Sequence, residues 1–383
     1  MQFWQNRRGR AVLLQAVLLA AVALSFWWLF SNTLDNLEQR NITTGFGFLG
    51  QETGFDVNFS LIAYDESSTF GRLLLVGLAN TGLVAVTGIF LATVLGFAIG
   101  IMQLSQNWLI SKLAVAYVET LRNLPLLLQI LFWYSAMLNL LPRPKQSLDF
   151  MEAVFLNKRG LYFPAPEMTP ATGVFAVVLL LSAGLYVASA RRDRQIRVNT
   201  GAVSGLRYKV LGGGGLAIML CLVVAGWPVT FDLPALRGFN FRGGASLTPE
   251  FVALLVSLVT YTAAFIAEIV RAGIQSVSKG QVEAARALGL KNLQTLRKIV
   301  IPQALRVIIP PLTSQYLNLT KNSSLAAAIA YPELVSVFAG TALNQTGQAI
   351  EILFITMTIY LALSLLSAAL MNWYNARVKL VER

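Results

Sequence analysis

The chain has 383 residues, of which 56% are hydrophobic and 13% are charged, whereas a soluble protein carries about 25% charged residues. So little charge cannot cover the surface of two or three soluble domains, which excludes a water-soluble enzyme. The net charge of +12 would suggest nucleic acid as the partner of a soluble protein, but a membrane protein acquires such a charge from its cytoplasmic loops.

Apolar runs of about 20 residues, separated by charged loops, predict an all-α integral membrane protein with about eight transmembrane helices. The first predicted span follows a basic start, and the exit from it lacks a small-x-small cleavage site, so we predict an uncleaved anchor. The predicted spans are 11–30, 74–102, 113–141, 171–190, 210–229, 249–270, 303–325 and 350–371.

The positions of lysine and arginine predict the orientation of these spans. With a cytoplasmic N-terminus, 21 of the 30 basic residues fall in inner segments and 8 in outer segments, and Lys321 lies within a span. Cytoplasmic loops carry the excess of basic residues, so both termini are predicted to be cytoplasmic. The basic charge is then a consequence of topology, and nucleic-acid binding is not expected.

Several kinds of chemistry are excluded by what the sequence lacks. The chain has no histidine, which excludes a Ser-His triad, histidine metal ligands and imidazole proton relays. The single cysteine, Cys221, lies in an apolar run, so neither a disulfide nor a CxxC zinc site can form. No phosphate loop of the GxxxxGK(S/T) type occurs, so the chain carries no P-loop ATPase of its own.

The predicted cytoplasmic loop 271–306 is the most informative segment. Ser278 and Gln281 have the spacing of a capping box, which predicts a short helix over about 279–288. Gly289 suits the left-handed position that follows a helix end. This segment is therefore predicted to begin with a short helix that stops in a tight turn.

A second short helix, capped by Asn292, is predicted after this turn, with Pro302 at the entry to span 7. The first helix carries Ala284 and Ala285 beside the charged Glu283. Small side chains permit close approach by another protein surface. The loop is thus predicted to form a compact protrusion on which a partner docks.

This loop resembles the EAA loop of bacterial ABC-importer permeases. The family pattern is Glu-Ala-Ala, three residues, glycine, nine residues, isoleucine, one residue and Leu-Pro, and here Ile301 replaces the leucine. The alternative is an ordinary loop with a chance match, which spacing kept over twenty residues disfavours. The resemblance implies a coupling helix that docks in a groove of an ATPase subunit. The matching positions are Glu283, Ala284, Ala285, Gly289, Ile299 and Pro302.

The resemblance extends beyond the loop, to the permeases of polar amino acids. In the segment 117–134, Arg122, Pro125 and Gln129 match that subfamily's lead into a span. The resemblance covers 70–141 and 249–383 and implies a five-helix core of the type I importer permease. The segments 1–69 and 142–248 are additions, the latter containing spans 4 and 5. Chains of this length most resemble the general L-amino-acid importers of Gram-negative bacteria.

The resemblance also implies partners and a location. A second permease subunit, either a paralogue or another copy, would complete the translocation path in the bacterial inner membrane. A periplasmic binding protein would deliver L-amino acids, and an ATPase dimer would bind the cytoplasmic face. ATP and Mg²⁺ would bind the ATPase, so no cofactor is expected on this chain, which would be a transport subunit and not an enzyme.

Polar and ionisable residues within spans are costly and are candidates for the substrate path. Lys321 could meet the carboxylate of an amino acid; the alternative is that it snorkels or pairs with a carboxylate on another span. For Glu268 we favour structural pairing, because Arg271 lies three residues later on the same helix face. Polar groups such as Asn80 more often bond to neighbouring helices. The candidates are Lys321, Asn322, Ser324, Glu268 and Asn80.

The main alternative function is that of a secondary transporter or channel. That class often has broken spans, repeat symmetry, or chains of buried carboxylates and histidines. Here we find no repeat, and we expect only Glu268 to be a buried carboxylate. A membrane-embedded enzyme is disfavoured because no acid and base pair is evident inside the spans.

Overall fold

The computed structural model describes residues 7–39, 44–201 and 205–378. The chain divides into two compact units, Met1–Trp133 with Ala253–Arg383, and Tyr134–Val252. Helices predominate in both units. They are α1 Arg7–Gln39, α2 Phe70–Gln103, α3 Trp108–Asn123, α4 Leu126–Leu140, α5 Ala171–Thr200, α6 Leu206–Ala225, α7 Pro249–Gln275, α8 Lys279–Ala287, α9 Asn292–Thr295, α10 Ile301–Asn322, α11 Leu343–Thr346 and α12 Ala349–Val378.

Within these described ranges, six helices are long and apolar enough to cross a membrane, namely α1, α2, α5, α6, α7 and α12. The bent pair of α3 and α4 raises the number to seven, in rough agreement with the eight predicted spans. Helix α10 takes the place of predicted span 7, but Pro310 and Pro311 lie in its interior. The predicted class of a mainly helical protein with several membrane-length apolar helices is therefore confirmed.

The predicted span 113–141 is not one straight helix. Helices α3 and α4 meet at an angle of 105°, and Leu124 between them is extended, with φ −93° and ψ 131°. Pro125 explains the break, because a proline ring disfavours helical geometry in the residue before it. The expectation of a continuous span was wrong here. Because this chain has a bent helix pair, the absence of broken spans cannot be used as an argument against a secondary transporter.

Glycines allow α2 and α7 to pack closely in the first unit. A Cβ at Gly96 would lie 2.6 Å from the Cβ of Ile266, and one at Gly100 would lie 2.7 Å from the carbonyl oxygen of Ala267. Cβ atoms essentially never approach so closely, so only glycine fits this interface. This contact holds α7, and hence the start of the following loop, against α2.

The segment 44–69 packs on the same unit. The ring of Phe48 is 1% exposed and lies 6.1 Å from the ring centroids of both Phe70 and Phe338. The hydroxyls of Thr53 and Tyr64 are hydrogen-bonded at 2.7 Å. Buried aromatic rings contribute strongly to stability, so this segment is part of the core and not a loose loop.

The second unit contains short strands that the sequence analysis did not predict. Strands β1, β2, β3 and β8 form an antiparallel sheet in that order, and β4–β5 and β6–β7 form two-stranded pairs. Helices α5 and α6 form a hairpin in the same unit. The strands are β1 Leu148–Phe150, β2 Val154–Asn157, β3 Gly160–Phe163, β4 Ala165–Met168, β5 Val229–Asp232, β6 Ala235–Arg237, β7 Asn240–Arg242 and β8 Ala245–Leu247.

Candidate functional site

The loop between α7 and α10 folds as two short helices separated by a tight turn. Helix α8 ends at Ala287, and Gly289 adopts φ +76°, the left-handed conformation that favours glycine. The amide of Leu290 donates to the carbonyl of Ala285 at 3.1 Å, and that of Gly289 donates to Arg286 at 2.9 Å. The predicted helix and its left-handed stop are both confirmed.

The helix caps in the structure differ in detail from the predicted ones. Ser278 precedes α8, but its side chain makes no capping hydrogen bond. The side-chain oxygen of Gln281 instead accepts from the side-chain nitrogen of Gln303 on α10. The second helix begins at Asn292, with Lys291 at the cap position. Ser278 therefore occupies its predicted cap position without forming the capping box, and the assignment of the second cap to Asn292 was wrong. The Gln281 contact to α10 shows why, since tertiary contacts compete with local caps.

The outer surface of α8 and the following turn is suited to a partner. Ala285 is 1% exposed and anchors the helix, whereas Glu283 and Ala284 are exposed. Two leucines that the sequence analysis missed are also exposed, Leu288 at 82% and Leu293 at 74%. Exposed apolar side chains rimmed by polar ones indicate an interaction surface. We call Glu283, Ala284, Leu288, Gly289 and Leu293 the loop surface.

The loop is joined firmly to α10. Thr295 and Val300 are 3% and 8% exposed, and a π-helical turn over Leu296–Val300 contains the half-buried Ile299. Pro302 is the second residue of α10, which follows this π-helical turn directly. The chain continues without a flexible linker, so a force on the loop surface acts directly on α10.

A second candidate site is a cavity of about 390 Å³ in the first unit. It is formed by the end of α10, the segment after it and α12. Lys321 is the charged residue of this lining, and the rest combines hydroxyls with apolar groups. The lining residues are Lys321, Ser324, Val335, Thr356, Met357, Tyr360, Leu361 and Ser364.

Two of the predicted path residues, Lys321 and Ser324, thus lie together at this cavity. The hydroxyl of Ser324 donates to the carbonyl of Lys321 at 2.7 Å. Asn322 is half-buried and is not part of the lining. The contributions of α12, chiefly Tyr360 and Ser364, were missed, because hydroxyl residues on an apolar helix do not reveal which face meets α10.

The structure places Asn80 elsewhere. Its side chain is fully buried, and its amide nitrogen donates to the carbonyls of Phe59 at 3.1 Å and Pro332 at 2.8 Å. Its amide oxygen accepts from the backbone of Leu61 at 3.3 Å. These bonds brace the segment 44–69 against the core, so the geometry lends no support to Asn80 as a substrate contact.

Glu268 is paired with Arg271 on α7, in agreement with the favoured interpretation. The Nε of Arg271 donates to Glu268 at 3.1 Å, and Arg271 also donates to Gln275 at 3.0 Å. Both charged side chains are about one-third exposed. The carboxylate of Glu268 thus already has a partner on its own helix. A role for Glu268 in the substrate path is not tested by this geometry and stays a prediction.

Glu333 is a buried carboxylate that the sequence analysis placed in an outer loop. It is 0% exposed, whereas the side chain of Glu268 is about one-third exposed, so the prediction that only Glu268 is a buried carboxylate was wrong. Its oxygens accept from the amides of Val335 at 2.8 Å and Ser336 at 2.7 Å and from the hydroxyl of Tyr360 at 3.0 Å. It therefore fixes the backbone after α10 and orients a cavity residue. The sequence feature that could have revealed this burial is the position of Glu333 as a single glutamate within an apolar stretch.

Replacing Glu333 with alanine should destabilise the protein more than replacing it with glutamine. The alanine variant removes the carboxylate acceptor of three partly buried donors, and an unsatisfied donor costs up to about 1–3 kcal/mol when it is buried, whereas the glutamine oxygen can still accept. We expect the midpoint of thermal unfolding in detergent to fall by about 4 °C or more for Glu333→Ala. The exposed Glu167→Ala is the control, and equal midpoints for all three variants would contradict this role.

Comparison with known proteins reveals a family. The family described as "Binding-protein-dependent transport system inner membrane component" matches residues 87–380. A relative in Escherichia coli (strain K12), named putative amino-acid ABC transporter permease protein YhdX, is 51% identical over 381 residues. The alignment covers 99% of this chain and 96% of the relative.

Two other relatives match over almost their whole length. The general L-amino acid transport system permease protein AapQ of Rhizobium johnstonii is 49% identical, covering 98% of this chain and 93% of the relative. The permease protein BztB of Rhodobacter capsulatus, named for glutamate, glutamine, aspartate and asparagine transport, is 40% identical, with 99% and 96% covered. A solved structure described as an amino acid ABC transporter with histidines aligns with a TM-score of 0.46 and 20% identity, covering 80% of this chain and 95% of that one.

Proposed function

Because this chain belongs to the family of binding-protein-dependent transport system inner membrane components, we propose that it is the permease subunit of an ATP-driven importer of L-amino acids. Membership of this family confirms the resemblance found in the loop and makes the chain a multi-pass membrane transport subunit, not an enzyme. The main observation in support of ATP-driven transport is the loop surface. It presents Glu283 and two exposed leucines on a helix pair that is joined directly to α10.

The relatives support amino acids as the substrate. Three proteins that are 40–51% identical over almost the whole chain are named as amino-acid permeases. The cavity at Lys321 is compatible with such a substrate, because its ammonium group would attract a carboxylate and the hydroxyls of Ser324 and Ser364 can donate or accept hydrogen bonds. We therefore propose that Lys321 and Ser324 line the path that amino acids follow.

The proposed assembly pairs this chain with a second permease, either a paralogue or another copy. An ATPase dimer would bind the cytoplasmic face, one subunit at each loop surface, and would hold ATP and Mg²⁺. A periplasmic binding protein would deliver the amino acid to the outer face. Both termini would then be cytoplasmic, in agreement with the basic inner segments.

In this proposal, coupling means that ATP and the transported amino acid both shift the same equilibrium between two conformations of the permease. ATP binding would draw the ATPase subunits together and move α8 and α9 with them. Since α9 continues through a π-helical turn into α10, the movement would reach the end of α10, where Lys321 borders the cavity. Hydrolysis would then return the permease to its initial state.

A partner census tests the assembly. The tagged chain is extracted gently from its native membrane, and the proteins that accompany it are identified by mass spectrometry. We expect an ATPase subunit in near-stoichiometric amount, with or without a second permease. If no ATPase appears under conditions that preserve a known ABC importer, the proposal fails, and transport driven by an ion gradient becomes the alternative to measure.

A further inference from the structure

The α5–α6 hairpin of the second unit carries a concentrated positive charge at one end. Six arginine and lysine residues lie within the segment 191–209, which contains a single acidic residue, Asp193. Asp193 is 8% exposed, and its carboxylate accepts from the amide of Arg207 at 3.2 Å. The acid thus joins the two helices within the unit, while the exposed arginines of α5 face outward.

An open apolar groove of about 370 Å³ lies between the same two helices. Leu179, Ser182 and Tyr186 line it on α5, and Leu211, Gly215 and Ile218 line it on α6. Gly215 leaves space here, because a Cβ at this position would meet no atom within 4 Å. Gly214 and Gly215, the last two residues of the run that begins at Gly212, therefore help to form a furrow along the hairpin.

The groove leads towards the basic end of the hairpin. Arg207 precedes Leu211 by four residues, and Arg197 follows Tyr186 by eleven, so both arginines fall on the helix faces that line the groove. From Arg207 to Ile218 the helix rises about 17 Å, which is close to half of the ~30 Å hydrocarbon thickness of a membrane. The groove and the arginines together therefore have the length of one lipid leaflet.

Arg207 is held in place at this end. Its Nη2 donates to the hydroxyl of Tyr208 at 2.7 Å, and its guanidinium lies 4.6 Å from the centroid of that ring. Tyr208 is 61% exposed, as is typical of tyrosine at the boundary between lipid and water. A guanidinium has five N–H donors, so others can still bind a phosphate.

We propose that the α5–α6 hairpin binds an anionic phospholipid. The phosphate group would lie at Arg197 and Arg207, and one acyl chain would occupy the groove. Basic groups beside an apolar groove at a membrane surface suit this ligand, since each contributes attraction to an anionic headgroup. A free phosphate would use only the arginines and leave the groove empty. The proposal does not depend on which substrate the protein transports.

The headgroup is tested with the full chain, purified together with the subunits that accompany it and then stripped of lipid. The protein is incubated with an equimolar mixture of phosphatidylglycerol and phosphatidylcholine that have the same acyl chains. Native mass spectrometry then measures how much of each lipid is bound. We expect about a tenfold preference for phosphatidylglycerol. The double variant Arg197→Gln and Arg207→Gln should lose that preference.

The matched control is the double variant Arg191→Gln and Arg192→Gln. It removes the same charge from the same segment, but on α5 these two residues point more than about 100° away from Arg197. It should keep the preference for phosphatidylglycerol. Equal loss in both double variants, or no preference in the wild-type protein, would overturn the proposed site.

The groove is tested by filling it. Gly215→Leu places a side chain in the groove, and Gly213→Leu places one at a position with open space outside the groove lining. Leucine is the better helix former, so neither change should unfold α6. We expect only Gly215→Leu to lower phosphatidylglycerol binding, about tenfold. Equal binding by both variants would contradict acyl-chain occupancy, as would displacement of the lipid by an equal concentration of glycerol phosphate.

Discussion

The variant Glu283→Lys should lose ATP-driven amino-acid uptake, by about tenfold or more, while the chain remains folded and inserted. Glu283 is exposed on α8, and the internal anchor of that helix is the neighbouring Ala285. Reversal of the charge would therefore disturb the proposed docking contact without disturbing the core. The measurements are uptake of labelled amino acid in cells and ATPase activity of the purified complex.

The control for this prediction is Glu167→Lys, which makes the same charge change at an exposed residue of strand β4. It should transport normally. We expect Glu283→Lys to reduce the amount of ATPase that copurifies, or to leave hydrolysis running without uptake. Normal uptake by Glu283→Lys, at normal expression, would show that the loop surface does not couple ATP hydrolysis to transport.

Gly289 provides an independent test of the same surface. A Cβ at this position would meet no atom within 4 Å, so the obstacle to substitution is the positive φ and not space. Asparagine tolerates the left-handed conformation far better than most residues, so Gly289→Asn should retain most uptake. Gly289→Asp adds a negative charge to the turn and should uncouple transport; equal uptake by both variants would argue against docking at this turn.

The variant Lys321→Ala should raise the substrate concentration needed for half-maximal uptake, by about tenfold or more. The physical reason is the loss of a charge-assisted contact to the substrate carboxylate, which contributes about 1.5–3 kcal/mol. Lys321→Arg keeps the positive charge at the cavity and should be affected less. The measurement is the concentration dependence of uptake, at matched expression, for a series of labelled amino acids.

Lys112→Ala is the matched control, because Lys112 is an exposed lysine on α3 outside the cavity lining. It should leave uptake unchanged. If Lys321→Ala also transports with unchanged concentration dependence, then Lys321 does not contact the substrate. Its ammonium group would then serve only to reach the polar edge of the membrane, which was the alternative considered from the sequence.

The loop surface was largely predictable from the sequence. The helix over Lys279–Ala287 and its left-handed stop at Gly289 follow from local rules, since a glycine after an Ala-rich helical stretch stops the helix wherever the chain goes next. The exact caps were not predictable, because Gln281 contacts Gln303, twenty-two residues away. Such a contact exists only once α8 and the start of α10 have come together in the folded chain.

The cavity at Lys321 was predictable only in part. The cost of a charged residue in an apolar run singled out Lys321, but nothing in the run of α12 pointed to Tyr360 and Ser364. Asn80 carried the same polar signal as Lys321, yet it braces the backbone of Phe59 and Pro332. A polar residue in a span indicates that it needs a partner, and packing decides whether that partner is protein or substrate.

The approximate positions of the apolar helices and the short helix that stops at Gly289 followed from the sequence alone, because hydropathy and helix stop signals depend on neighbours along the chain. The burial of Glu333, the cavity that Lys321 shares with α12 and the groove between α5 and α6 could not be predicted in this way. These features depend on which helix faces meet, and facing surfaces are set by the complementary packing of distant residues.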